Sequence, residues 1–143
     1  MRIRPMTAAD APFVADLTTQ LGYPSTAEEA AERLASLAER PTEHAALVAE
    51  EDGNAVGWVH VALVPALAMD LTADIGGLVV DDAHRSGGIG AELLAAAEAW
   101  AREHGAARMV VRSRIARERA HQFYERKGYA LIKTSHVFEK SLV

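Results

Sequence analysis

Apolar and polar residues alternate along Arg2-Ile3-Arg4-Pro5-Met6, the period of a half-buried strand, and Thr7 with Asp10 three positions on supplies a helix cap. Phe13, Val14, Leu17 and Leu21 then recur at helical spacing up to Gly22, with Pro24 just beyond. A second helix is predicted from a Ser25 or Thr26 cap, with Glu28 and Glu29 in its first turn, over Ala30, Leu34 and Leu37 to Pro41. Ala45 to Glu50 and Ala55 to Val64 flank Glu51-Asp52-Gly53-Asn54, which reads as an antiparallel hairpin. A further strand spans Leu71 to Val80 and contains Gly76-Gly77. Glycines inside a strand mark a bulge or a close backbone approach.

The strongest amphipathic stretch is Ile89 to His104, where Ile89, Leu93, Ala96, Ala97, Trp100 and Ala101 form one stripe that Gly105 closes. Met109-Val110-Val111 reads as a short strand, and Ala116 to Lys127 as a helix with Ala116, Ala120, Phe123 and Tyr124 on one face and Gly128 at its end. Tyr129 to Ile132 and His136 to Glu139 are predicted to close the chain as two strands. The order β-α-α-β-β-β-α-β-α-β-β implies a mixed α/β sheet covered by helices, with Trp58 and Trp100 in the core. A length of 143 residues fits a single domain.

Composition narrows the function classes. Half the residues are hydrophobic and 24% are charged, an ordinary globular balance. The apolar run Val61 to Met69 is broken by Pro65 and is far short of the ~20 residues that span a bilayer, and Met1 to Pro5 has no signal-peptide core, so neither membrane insertion nor secretion is expected. Without cysteine there is no disulfide, thiolate nucleophile or cysteine metal site, and the cytoplasm is the expected location. The six histidines show no H-x-x-x-H spacing, so no metal is expected. Net charge is −5, which argues against general nucleic-acid binding. The charge is uneven, because residues 102–127 hold eight basic against three acidic side chains, leaving +5 there and −10 elsewhere. A local anionic ligand such as a phosphorylated cofactor fits this distribution, as does a solvated helix face.

Leu78-Val79-Val80-Asp81-Asp82-Ala83-His84-Arg85-Ser86-Gly87-Gly88-Ile89-Gly90 is a buried strand that passes through a glycine-rich turn into the best helix. Such a turn directs free backbone N–H groups, reinforced by the helix dipole, at one point, as a phosphate requires. Taken alone it is equally a tight connection. It lacks the lysine of a Walker A loop, and Leu93 stands where a dinucleotide fingerprint has its third glycine. Ser86 has no G-x-S-x-G context of a hydrolase nucleophile.

Arg85-Ser86-Gly87-Gly88-Ile89-Gly90 resembles the R/Q-x-x-G-x-G/A signature of the GNAT family of N-acetyltransferases, which grips the pyrophosphate of acetyl-coenzyme A. Leu78-Val79-Val80-Asp81 resembles that family's fourth strand, Ala120 to Tyr129 its A-x-x-F-Y-x-x-x-G-F/Y segment, and Ile3 to Asp10 a common start. The similarity covers nearly the whole chain. It implies a mixed, mostly antiparallel sheet of about six to seven strands flanked by about four helices, with the fourth and fifth strands splayed.

The resemblance further implies that Arg85, Ser86, Gly87, Gly88, Ile89 and Gly90 hold the pyrophosphate and that Leu78, Val79 and Val80 bond the pantetheine arm and polarise the acetyl carbonyl. Tyr124 is implied as the general acid that protonates the leaving sulfur. The expected activity is direct acetyl transfer from acetyl-coenzyme A to a primary amine, either a small cationic amine or a peptide amine, in a ternary complex. Many relatives carry a glutamate on the fourth strand where this chain has Gly76, which leaves Asp74, Glu50, His60 and His136 as candidate bases, none assigned. It also makes a non-catalytic acyl-coenzyme A sensor thinkable. Arg117 stands where many members have a cofactor-binding asparagine. Homodimers are common among proteins of this appearance.

Overall fold

In the computed structural model, which describes residues 1–85 and 87–143, the period-two segments become five strands: β1 (Arg2–Pro5), β2 (His44–Glu51), β3 (Asn54–Val64), β4 (Thr72–Val80) and β5 (Arg108–Val111). The helical segments become α1 (Ala11–Leu21), α2 (Ala27–Ala38), α3 (Ile89–Glu103) and α4 (Glu118–Arg126), with 3₁₀ turns at Ala8–Asp10 and Asp82–His84. The chain divides into two compact units, Met1–Arg112 and Ser113–Val143.

The first unit holds a sheet in the order β1-β2-β3-β4-β5. β1 through β4 pair antiparallel, whereas β4 and β5 pair parallel across the connection made by α3. Asp52 and Gly53, at φ 50° and 82°, form the two-residue turn between β2 and β3 that pairs Glu51 with Asn54, and the register shifts by one residue between Ala49 and Glu50. Successive residues of β3 face opposite sides of the sheet. A Cβ on Gly57 would lie 3.1 Å from Leu93 and 3.5 Å from Ile89, so that side is covered by α3. Trp58, one residue on, packs with Val48 of β2, Ala11, Val14 and Ala15 of α1 and Ala30 of α2. Leu93, Val48, Val59 and Val61 are fully buried, each a side chain worth roughly 1.5–3 kcal/mol on transfer from water.

The turn into α1 is held by charge. Arg4 donates to both carboxylate oxygens of Asp10 at 2.8 Å and to Glu50 at 3.0 Å, while the Thr7 backbone N–H donates to Asp10 at 2.7 Å. Asp10 is almost fully buried, and its bond to Arg4 first of all holds its carboxyl below the usual carboxylate value. A depressed carboxylate pKa adds stability above the unfolded value, about 3.9, that is lost as pH falls through the folded one. Asp10→Ala leaves Arg4 with one carboxylate partner, Glu50, and is expected to cost about 3 kcal/mol at pH 7 in chemical denaturation, with the difference from wild type shrinking as pH is lowered below about 4.

The strand count differs from expectation. Tyr129–Ile132 and His136–Glu139 hold no strand, so the described residues contain five strands rather than six to seven. Their alternation has the right period, but a strand exists only through a ladder to a neighbour, and all members of the sheet lie between residues 2 and 111. Leu131, Ile132, Val137 and Phe138 are accordingly exposed. No helix of the described residues is long and apolar enough to cross a membrane.

Candidate functional site

The site is built on the carboxyl end of β4. Its ladder to β5 runs from Thr72–Arg108 to Ile75–Val111, where β5 ends. From Gly77 to Val80, β3 alone pairs with β4 among the described residues, so one edge of Leu78, Val79 and Val80 has no strand beside it. The bulge signalled by Gly76-Gly77 is present: His60 pairs with Gly77 and Val61 with Ile75, which leaves Gly76 as the extra residue. A bulge bends the strand and ends regular pairing.

β4 leads through the turn Asp82–His84 to Gly88, which caps α3 at φ 81° in the left-handed region with nothing within 4 Å of where a Cβ would stand. Gly88 has no side chain to accept from the first turn, and the first intrahelical bond runs from the Glu92 N–H to the Gly88 carbonyl at 3.1 Å. The preceding N–H groups of the helix have no carbonyl to bond. Arg85 arches over this turn: its Nε donates to the Val80 carbonyl at 3.4 Å and its Nη2 meets Asp82 at 2.8 Å. That ion pair is well exposed and worth at most about 1 kcal/mol, so an anion can replace Asp82 at little cost. Val80, Arg85, Gly87, Gly88, Ile89 and Gly90 are thus brought together, whereas Ser86 lies outside the described residues.

What anchors this turn was not legible in any local motif. Gln20, at the end of α1, donates to Asp81 at 3.0 Å and accepts from the Asp82 N–H at 3.1 Å. His84 bonds Asp81 at 3.0 Å and lies 3.6 Å from Glu51. The Gln20 bond first, then that of His84, depress the Asp81 carboxyl.

Tyr124 belongs to the second unit. It lies on α4, half-buried, with ring edges against Phe123 at 5.2 Å and Tyr129 at 5.6 Å between centroids. Burial raises its phenol pKa, and the charge of Arg117 works against that rise. The phenol therefore stays protonated through the neutral range, the state a proton donor needs.

The four candidate bases have different surroundings. Asp74 is paired with Arg112, and Glu50 with Arg4 and Arg2. His136 is exposed in the second unit, 6.4 Å from Phe138 between ring centroids. His60, beside the bulge, bonds His44 at 3.1 Å.

Against known proteins, the model of the acetyltransferase (GNAT) family matches residues 12–129. None of the curated proteins matches the chain. Among solved structures, a proposed acetyltransferase from Agrobacterium tumefaciens str. C58 superposes at a TM-score of 0.86 with 23% identity, covering 98% of this chain and 100% of its own. The aminoglycoside antibiotic 6'-N-acetyltransferase AAC(6')-IG of Acinetobacter haemolyticus superposes at 0.84 with 18% identity over 100% of both chains. AAC(6')-Iy, solved with the bisubstrate analogue CoA-S-monomethyl-acetylneamine, does so at 0.84 with 18% identity over 98% of this chain and 97% of its own. At these identities the structures show a shared fold.

Proposed function

Because the chain belongs to the acetyltransferase (GNAT) family, whose model spans residues of both units, we propose that it works as one domain that moves the acetyl group of acetyl-coenzyme A directly to a primary amine. The observation that carries this reading is the β4 edge left open beside Leu78, Val79 and Val80, running into a helix capped by Gly88. Open space at Gly88 and first-turn N–H groups of α3 that have no helical carbonyl to bond suit a pyrophosphate, which needs close backbone approach and several donors at once. Gly87, Gly88, Ile89 and Gly90 would hold it through the main chain, with Arg85 exchanging Asp82 for a phosphate oxygen. Leu78 and Val80 would bond the pantetheine amides as a substitute strand.

Acetyl-coenzyme A, when bound, supplies the acetyl group as a thioester. A β4 backbone N–H near Val79 or Val80 would polarise its carbonyl. Tyr124 would donate the proton that the departing sulfur takes up. No residue of this chain offers a thiolate to carry the acetyl group, which favours direct attack by the amine in a ternary complex. A charge of −10 outside residues 102–127 favours a cationic acceptor, the character also of the aminoglycosides named for one of the similar structures. Isothermal titration with acetyl-coenzyme A should give one site per chain; absence of binding would count against the reading.

A further inference from the structure

Gly76 and Gly77 do more than bend β4. A Cβ on Gly76 would stand 2.5 Å from His60 Nδ1, 3.1 Å from its Cε1 and 3.3 Å from its Cγ, so the imidazole occupies the volume that any side chain at residue 76 would need. A Cβ on Gly77 would stand 2.5 Å from the Trp58 ring. Trp58 and His60 are two residues apart on one face of β3, and the glycines are the floor on which both rings rest. Gly76 itself is exposed, so this floor opens to solvent.

The two nitrogens of His60 differ. Nε2 lies 3.1 Å from His44 Nδ1, with the two rings stacked at 5.3 Å. Nδ1, over Gly76, has no hydrogen bond among the described residues. The tautomer with hydrogen on Nε2, donated to His44, leaves the Nδ1 lone pair facing the bulge. Gly77, its partner in the ladder, is two residues and about 7 Å along β4 from Val79.

We propose that His60, steadied by His44, is the base that takes the proton of the acceptor amine. This rests on the acetyl-transfer reading above. The amine nitrogen bonds the acetyl carbon, its proton goes to His60 Nδ1, the carbon–sulfur bond breaks, and Tyr124 protonates the sulfur. His60 then loses a proton to water and Tyr124 regains one, so the balance is amine plus thioester giving amide plus thiol. Burial first, and the charge of His44 next, hold the His60 pKa below the ordinary imidazole value, which keeps it a free base at neutral pH. Asp74, on the same face of β4, is already engaged by Arg112.

The test measures acetyl-coenzyme A binding by calorimetry and kcat/KM against pH with spermidine, kanamycin and a lysine peptide as probe amines. His60→Gln is expected to bind acetyl-coenzyme A normally and lose about 100-fold in kcat/KM, together with the acid limb of the profile. His44→Gln removes a like charge, so the limb should move to higher pH while the protein stays active. Gly76→Glu collides with the His60 ring, but in the double variant with His60→Ala the carboxylate enters the vacated volume and should recover at least tenfold over His60→Ala. Full activity with an unchanged limb in His60→Gln overturns the assignment of His60 alone. Wild-type protein that binds acetyl-coenzyme A yet turns over none of the probes overturns the transfer reading and this one with it.

Discussion

Tyr124→Phe should lower kcat about 100-fold while leaving acetyl-coenzyme A affinity within about twofold, since a positioned proton donor typically contributes 10²–10⁴-fold. The change removes one hydroxyl and keeps the aromatic body that packs edge-on against Phe123 and Tyr129, so folding should be unaffected. Burial, opposed by the charge of Arg117, raises the phenol pKa. A group that acts while protonated then remains competent to a higher pH than an unperturbed phenol, near 10, would allow. Wild-type activity should therefore persist through the neutral range and fall only in strong alkali. Full turnover by Tyr124→Phe would remove Tyr124 as the acid and leave the cofactor site untouched.

Gly88→Glu should weaken acetyl-coenzyme A binding by at least about 100-fold, or roughly 2.8 kcal/mol. Two costs combine. Residue 88 sits at φ 81°, a conformation disfavoured for a residue with a Cβ by roughly 1–2 kcal/mol, and a carboxylate there confronts the pyrophosphate directly. Gly88→Asn separates them, because Asn tolerates the left-handed region and is uncharged; it should retain the fold and lose much less affinity. Normal binding by a folded Gly88→Glu protein, shown by circular dichroism and calorimetry together, would contradict the placement of the anion site.

Elements whose signal is local were readable in advance. Thr26 and Glu29 form a reciprocal cap because each needs only the other three residues away. Gly76-Gly77 in a β-run announced a bulge, and the Gly88 cap followed from a glycine turn before the strongest apolar stripe. The C-terminal strands failed for the opposite reason, since side-chain period says nothing of whether a neighbouring strand exists to pair with. The Gln20–Asp81 bond joins positions 61 apart in sequence, and no spacing rule reaches that far.

The His44–His60 contact lies between these cases. Carried on unbroken from the Asp52-Gly53 turn, the hairpin register would set His44 and His60 on opposite faces; the one-residue shift between Ala49 and Glu50 sets His44 opposite Ala62 and His60 opposite Ala46, so the two rings are diagonal neighbours on one face. A register drawn from the turn alone would have missed the pair. It would not have shown that His60 lies where a side chain at residue 76 belongs, because that depends on the bulge shifting β4 by one residue at that point.

The most direct measurement is the release of coenzyme A thiol when wild-type protein, saturated with acetyl-coenzyme A, is given the probe amines, followed with mass detection of the acetylated amine. Acetyl transfer predicts thiol release that requires both protein and amine, with one acetylated amine formed per thiol. Saturable acetyl-coenzyme A binding with no amine-dependent thiol release would contradict it and leave a domain that binds the coenzyme without using it.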